Sequence, residues 1–188
     1  EQTRFKGVKI VAATGGVQGH MSVDVNSLAI SMSERLGAEA YLMHAPVLVD
    51  TVEEREALVS FRQVREIIAL ARRARIALVG VGSVQPNTSS YLDLPYISEA
   101  DRWHILRDYH PSGEILGFLL GEDGELAVPE YNERVVGINP EDLKRIPVSI
   151  AIAGTSSKIK PIRSVLRGGY VNRLITDESA ARGVLDSQ

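Results

Sequence analysis

The chain has 188 residues, of which 44% are hydrophobic and 24% charged, and its formal net charge is −3. This length corresponds to one domain, or one with a small appendage, and the apolar content can fill a core, which argues against disorder. The absence of cysteine excludes disulfide scaffolds, thiol catalysis and cysteine-ligated zinc. No apolar run approaches the ~20 residues of a membrane span, and the start of the chain has no signal-peptide pattern. A slightly acidic chain attracts DNA only where its basic groups are segregated.

Strands and helices alternate through the first 81 residues. Gly37 follows apolar residues at helical spacing, where a glycine typically ends a helix. Thr51 and Glu54 have the spacing of a capping box, and the buried stripe of the helix that they begin includes Phe61. The apolar run over 76–81 is typical of a strand covered on both faces. The predicted elements are strands over 8–13, 40–43 and 76–81, a helix over 23–36, and a helix from Thr51 to the arginine cluster that begins at Arg72.

The second half of the chain continues this alternation after a polar loop. Asn139 and Pro140 have the order of a helix cap followed by proline at the first helical position. Asp177 has the position of a cap before the last helix. The predicted elements are strands over 115–120, 133–138, 148–153 and 171–175, a turn at Asp123-Gly124, and helices that begin at Ser98, at Asn139, within the stretch 154–158 and at Asp177.

Apolar strands joined by helices predict an α/β fold with a mostly parallel sheet, helices on both faces and right-handed crossovers. Ligands of such sheets bind outside the carboxyl ends of the strands. Three loops rich in glycine and hydroxyl groups follow strands, at 14–20, 82–90 and 154–158. We therefore expect these three loops to line a ligand site.

The loop over 154–158 carries the strongest signal for an anionic ligand. Gly154 permits a close approach of the backbone, and a helix N-terminus with free N–H groups follows. Lys158 lies in the first turn of that helix, against the dipole preference, so that its charge points to an anion. The competing interpretation, a solvated lysine, has about equal weight. The spacing of a P-loop is absent.

The other two loops are less specific. Considered alone, Gly15 and Gly16 are best interpreted as simple turn residues. Gln18 and Asn26 offer amide groups suited to sugar hydroxyls. Gly82 and Ser83 end a buried strand in a similar manner, without the spacing of a dinucleotide fingerprint, and these two join the candidate residues.

Glu114 precedes an apolar strand and follows a proline–serine–glycine turn. Its carboxylate is suited to binding sugar hydroxyls, although a solvated turn residue has the same pattern. The four histidines show no spacing of metal ligands, and no G-x-S-x-G motif supports a serine hydrolase. We expect no metal and no cofactor.

Several short strings follow one another in a defined order from about Val8 to the C-terminus. They are Thr14-Gly15-Gly16, Asn26-Ser27-Leu28, Tyr41-Leu42 with Ala45-Pro46, Ala77 to Ser83, Gly113 to Gly117, Ile152-Ala153-Gly154 with Lys158 and Ile162, and Leu166 to Gly169 with Leu174 to Glu178 and Ala181. In this order they resemble the effector-binding domain of SorC-type bacterial transcriptional regulators, the DeoR-like sugar-binding regulators that include the central glycolytic gene repressor.

The resemblance implies a Rossmann-like fold related to glucosamine-6-phosphate deaminase, ribose-5-phosphate isomerase and CoA-transferase. It implies a cytoplasmic sensor, not an enzyme, that binds a sugar or phosphorylated sugar and so changes its homo-oligomer, dimer or tetramer, and its affinity for operator DNA. Gln18, Glu114 and Lys158 fall where the family places effector contacts, with Lys158 near the phosphate, and the loops of Gly15-Gly16 and Gly82-Ser83 line the same crevice. An isomerase- or deaminase-like enzyme and a domain that has lost its ligand are the alternatives.

The sequence also departs from the pattern of this family. The helix-turn-helix domain is not visible, and the opening strand with its phosphate loop would precede Glu1. The expectation is therefore one effector-binding domain over 1–188 that lacks its opening segment and reaches DNA only through a domain outside this chain.

Overall fold

The computed structural model describes residues 7–17, 24–85, 88–94 and 97–186. It divides into two compact units. Unit 1 comprises residues 1–73 and 134–138, and unit 2 comprises residues 74–133 and 139–188. Each unit contains its own parallel sheet, so the parallel pairing predicted from the alternation of strands and helices is found, but it is divided between two sheets.

Unit 1 contains a two-stranded parallel sheet, in which β1 (Lys9–Val11) pairs with β2 (Glu39–Tyr41). Helix α1 (Val25–Leu36) connects the two strands and is capped by Asp24, whose side chain accepts the backbone N–H of Asn26. The helix ends at Gly37, which adopts the left-handed conformation with φ 64°. The predicted strand, helix and helix-ending glycine are confirmed, with shorter strands than the apolar runs suggested.

The single helix predicted from Thr51 is wrong, because the chain forms two helices, α2 (Val52–Ser60) and α3 (Arg62–Ala71). Phe61 interrupts them with an extended backbone (φ −61°, ψ 130°) and is 59% exposed, so it does not continue the buried stripe. The capping box predicted for Thr51 and Glu54 is found in part. Thr51 accepts the N–H of Glu54, whereas the Glu54 carboxylate accepts the N–H of Asp50 in place of Thr51.

Unit 2 contains a three-stranded parallel sheet in the order β3 (Ile76–Gly80), β6 (Val148–Ile152), β7 (Arg173–Ile175). Its register pairs Gly80 with Ile152, and Ile152 with Ile175. The carboxyl ends of all three strands therefore lie at one edge of this sheet, as in other parallel sheets that bind ligands.

The predicted strand over 115–120 is instead a hairpin of β4 (Gly113–Ile115) and β5 (Phe118–Leu120). Leu116 and Gly117 both have positive φ, 57° and 86°, which is the backbone of a tight two-residue hairpin turn. The strand predicted over 133–138 is also wrong. Residues 134–138 belong to unit 1 and make only isolated bridges, through Val135 and Gly137.

Short helices occupy the rest of unit 2. Ser98 and Asn139 each form a complete capping box, so both predicted helix starts are confirmed. Gly124, at the predicted turn, has φ 88°. The helices are α4 (Glu99–His104) followed by a π-helical turn (Ile105–Tyr109), α5 (Pro129–Asn132), α6 (Pro140–Lys144), a 3₁₀ turn (Ser156–Lys158) followed by α7 (Ile159–Arg167), and α8 (Glu178–Asp186).

One face of the β3–β6–β7 sheet is exposed, so the coverage predicted for 76–81 is found on one face only. Ile76, Ile152 and Ile175 are each about half exposed or more, at 61%, 49% and 55%, whereas Val79 and Ala151 on the other face are buried. A continuous run of apolar residues has no alternation with polar residues, so the sequence does not show which face of the strand is exposed.

None of the helices in the described ranges combines the length and apolarity that a bilayer span requires.

Candidate functional site

The carboxyl ends of the three parallel strands of unit 2 carry the best candidate residues. Gly82-Ser83 follows β3, the loop over 154–158 follows β6, and Asp177 follows β7. The hairpin strand β4 adds Glu114, because the backbones of Gly82 and Glu114 exchange hydrogen bonds of 2.8 and 3.0 Å. Four of the predicted site residues thus fall in one unit at or near one sheet edge.

Lys158 directs its ammonium group to the end of β3. Its Nζ donates a hydrogen bond of 2.8 Å to the carbonyl oxygen of Val81. Partial burial lowers the pKa of Lys158, and the nearby carboxylate of Glu114 opposes this shift. This hydrogen bond and the partial burial distinguish Lys158 from a fully solvated lysine, the alternative that the sequence left open.

Glu114 lies beside the same strand end. Its Oε1 accepts the N–H of Gly117 at 2.5 Å, and its Oε2 lies against Gly82 where a β-carbon would project. Desolvation raises the pKa of Glu114, whereas the Gly117 N–H and Lys158 act to lower it. The structure therefore brings Glu114, Lys158 and Gly82 together, with one acid and one base in a partly desolvated setting.

The loop over 154–158 has an unusual backbone at Thr155, with φ 78° and ψ 154°. The N–H of Thr155 donates to the carboxylate of Asp177, which also accepts the N–H of Ala180 at 2.9 Å and the hydroxyl of Ser179 at 2.8 Å. These donors, first Ala180 and then Thr155, lower the pKa of Asp177 to about 2. The predicted cap at Asp177 is confirmed, but the sequence did not indicate its second contact, with Thr155.

The hydroxyl of Ser83 contacts residues of its own loop. Its side chain is buried, its hydroxyl lies 3.0 Å from that of Thr88, and it accepts the N–H of Gln85 at 3.3 Å. These contacts order the loop after β3 and use the hydroxyl internally. An effector contact by Ser83 stays a prediction.

Three other predicted site residues lie in unit 1, where their polar groups have internal partners. The N–H of Gly15 donates to Val136 and that of Gly16 to Ala45, at 2.9 and 2.8 Å. The side chain of Asn26 bonds both backbone groups of Met43, at 2.9 and 3.0 Å. Their effector roles stay predictions.

Gln18 lies outside the described residues, and its predicted contact cannot be placed. Within the described ranges, no group of three or more His, Asp or Glu residues is arranged to hold a metal ion. The candidate site consequently consists of the Glu114–Lys158 pair and the loops that surround it.

Comparison with known proteins identifies related sequences along nearly the whole chain. Residues 1–186 match the family model described as "Putative sugar-binding domain". The transcriptional regulator LsrR of Enterobacter sp. (strain 638) is 32% identical over 181 residues, which is 95% of this chain and 53% of that protein. The erythritol catabolism regulatory protein EryD of Brucella abortus (strain 2308) is 28% identical over 184 residues, with coverage of 95% and 55%.

Solved structures show the same fold. The full-length sorbitol operon regulator SorC from Klebsiella pneumoniae aligns with a TM-score of 0.88 and 26% identity over 98% of this chain and 60% of that chain. The sugar-binding domain of a transcriptional repressor from Vibrio fischeri aligns with a TM-score of 0.85 and 28% identity over 95% and 70%. These likenesses confirm the predicted α/β fold class.

The chain spans about half the length of the two regulators to which its sequence was compared. The family model, however, covers nearly all of it, and the resemblance found in the sequence is confirmed. The chain belongs to the family of sugar-binding domains of SorC/DeoR-type transcriptional regulators.

Proposed function

We propose that unit 2 binds a sugar or phosphorylated sugar at the carboxyl ends of β3, β6 and β7, and that the bound ligand signals to the rest of a cytoplasmic transcriptional regulator. The observation that carries this proposal is the position of the Lys158 ammonium, which is held at the end of β3 beside Glu114. Both named relatives are regulators, which supports sensing in preference to catalysis.

The chemistry of this pair suits a sugar phosphate. A phosphate oxygen would pair the Lys158 ammonium with an opposite charge in place of a neutral carbonyl, and hydrogen bonds between two ionised groups are short and strong. The chain enters α7 at this point, and a helix N-terminus favours an anion. Glu114 accepts hydrogen bonds and can hold a sugar hydroxyl. One ligand with a phosphate and hydroxyl groups therefore uses both members of the pair.

Signalling requires that the ligand bind one state of the regulator more tightly than another. In the longer protein we propose that this difference acts on a homo-oligomer, a dimer or a tetramer, and through it on the affinity of a separate domain for operator DNA. Effector and DNA binding are then coupled reciprocally. Sedimentation of the chain with and without a bound sugar phosphate tests the first step.

The test of the site is the affinity for ribose 5-phosphate, fructose 6-phosphate and glucose 6-phosphate, measured by calorimetric titration. Lys158→Ala should weaken the affinity for the tightest of these probes more than tenfold, which corresponds to about 1.4 kcal/mol. Lys160→Ala is the matched control, because Lys160 is an exposed lysine two residues further along the chain, in α7. Equal affinities of wild type and Lys158→Ala would remove Lys158 from the site.

One observation also fits the alternative of an enzyme. The raised pKa of Glu114 is a property of a general base or acid. Incubation of the protein with the same probes, with product analysis, distinguishes the alternatives. We expect no conversion. Turnover at ordinary enzyme rates, near 1 s⁻¹ or faster, would contradict the sensor proposal. Loss of this turnover in Glu114→Gln would identify the protein as an enzyme that uses Glu114.

A further inference from the structure

We infer that Asp177 is a positioning residue for the ligand site, because its carboxylate holds the loop over 154–158 in the conformation that brings Lys158 to the end of β3. This inference rests on the proposed function for the role of Lys158, but the placement of Lys158 can be measured without any ligand.

The loop needs a restraint because its backbone is strained. Thr155, with φ 78° and ψ 154°, lies close to a region that only glycine adopts readily, and a side chain there costs on the order of 1–3 kcal/mol. Such a conformation persists only when its surroundings enforce it. The bond from the Thr155 N–H to Asp177 is the restraint that the structure shows, together with a hydroxyl contact of 2.8 Å between Thr155 and Ser157.

A continuous set of contacts links Asp177 to the ammonium group. Asp177 holds the N–H of Thr155, and the carbonyl of Thr155 accepts the N–H of Lys158 at 3.1 Å. The side chain of Lys158 then reaches the Val81 carbonyl at 2.8 Å. A change at Thr155 therefore moves the point from which the Lys158 side chain starts.

The two carboxylate oxygens of Asp177 have separate tasks. Oδ1 caps α8 by accepting from Ala180 and Ser179. Oδ2 accepts from Thr155 and lies against Gly154 where a β-carbon would project. A helix cap needs only the first oxygen, and asparagine caps helices as well as aspartate does. Asp177→Asn can therefore keep the cap while it places an NH₂ group, a second donor, against the Thr155 N–H.

The experiment compares wild type, Asp177→Asn, Thr155→Gly and the double variant. The first readout is the NMR signal of the Lys158 side-chain Cε–Hε group without ligand, assigned by its loss in Lys158→Ala. Asp177→Asn should shift this signal. The double variant should restore it in part, because glycine adopts the loop conformation without strain although its N–H still faces the amide NH₂ group. Asp186→Asn removes a carboxylate from the other end of α8 and should leave the signal unchanged.

The second readout is the affinity for the sugar phosphate that wild type binds best. We expect a loss of at least tenfold in Asp177→Asn, recovery of at least half of the lost binding free energy in the double variant, and no loss in Asp186→Asn. If Asp177 acted only as a helix cap, Thr155→Gly would not restore the affinity lost in Asp177→Asn, because a change at Thr155 does not alter the cap of α8.

The outcomes separate this inference from the proposed function. An unchanged Lys158 signal in Asp177→Asn, or a shift that Thr155→Gly fails to reverse, overturns the positioning role. If none of the probes binds wild type, but the signal shifts and is restored as expected, the sugar-phosphate proposal fails while the positioning role stands. If Asp177→Asn does not fold, Thr155→Gly in the otherwise unchanged protein decides: a higher midpoint of unfolding supports the strained loop, and a lower one contradicts it.

Discussion

Two loops follow parallel strands and carry glycines, but different groups hold them. In unit 1, the backbone N–H groups of Gly15 and Gly16 donate to carbonyls of neighbouring segments. In unit 2, the N–H of Thr155 donates to the side chain of Asp177, and the loop leads to a charged residue, Lys158. The first loop is fixed by main-chain packing, whereas the second is fixed by one carboxylate.

The difference shows what a glycine-rich loop signifies. The donors that a phosphate would need at Gly15 and Gly16 already have partners, so glycine there is explained by the close approach of chains. At the end of β6, glycine accommodates a carboxylate, and the loop presents a cation. In both loops, glycine marks a place where another part of the chain lies close to the backbone. Only the charged residue near the second loop, Lys158, points to a ligand.

The largest expected effect tests the packing of the first loop. In Gly15→Ala, the new methyl group would overlap the backbone carbonyl of Pro46, which cannot move independently. We expect a loss of about 3 kcal/mol in the free energy of unfolding, the upper part of the range for overpacking, measured by urea denaturation. Gly80→Ala is the control, since its β-carbon would meet open space. Equal stability of Gly15→Ala and wild type would contradict the comparison.

The next effect concerns Asn26, whose side chain bonds both backbone groups of buried Met43. Asn26→Ala leaves a buried donor and acceptor without these partners, and we expect a loss of about 2 kcal/mol in the free energy of unfolding. Because its amide is already occupied, sugar-phosphate affinity should fall less than in Lys158→Ala. A larger fall in affinity than in Lys158→Ala would show instead that Asn26 is an effector contact.

Gly154→Ala tests the second loop at the equivalent place. The new methyl group meets the end of the Asp177 side chain, which can shift, unlike the carbonyl at Gly15. We expect a smaller loss of about 1 kcal/mol in the free energy of unfolding, together with weaker sugar-phosphate binding because Lys158 is displaced. A loss as large as that of Gly15→Ala would show that the second loop is also fixed by rigid packing.

The smallest effect is the dependence of stability on pH. The pKa of Asp177 is lowered to about 2 by the N–H groups of Ala180 and Thr155, below the value of about 3.9 in unfolded chains. Its carboxylate therefore stabilises the fold above pH ~4, and this contribution disappears as the pH falls through about 2. The stability difference between wild type and Asp177→Asn should shrink over this range in acid denaturation. Asp186→Asn corrects for the change in net charge.

Local signals in the sequence predicted the caps and turns well. Asp177, Ser98 and Asn139 cap helices as expected, because a cap depends on residues within one turn. The hairpin at Leu116-Gly117 was missed, since a non-glycine residue with positive φ gives no turn signal. The break at Phe61 was also missed, because the helical period continues through it.

The candidate site was predicted in part. Lys158, Glu114 and Gly82 were identified from loops at strand ends, and the structure brings these three together. The contact of Asp177 with Thr155 joins residues 22 positions apart, in the segments that follow two neighbouring strands. Such a contact depends on the register of the sheet, which no local pattern contains.

The amino-acid order by itself determined the alternation of strands and helices, the positions of most helix starts and the loops in which a cation follows glycine. These features depend on backbone sterics and hydrogen bonds within a few residues. The tertiary structure alone decided which backbone donors are used internally, as at Gly15 and Thr155. Partners for N–H groups and desolvation of charges are set by segments far apart in the chain, and these meet only once the sheets have formed.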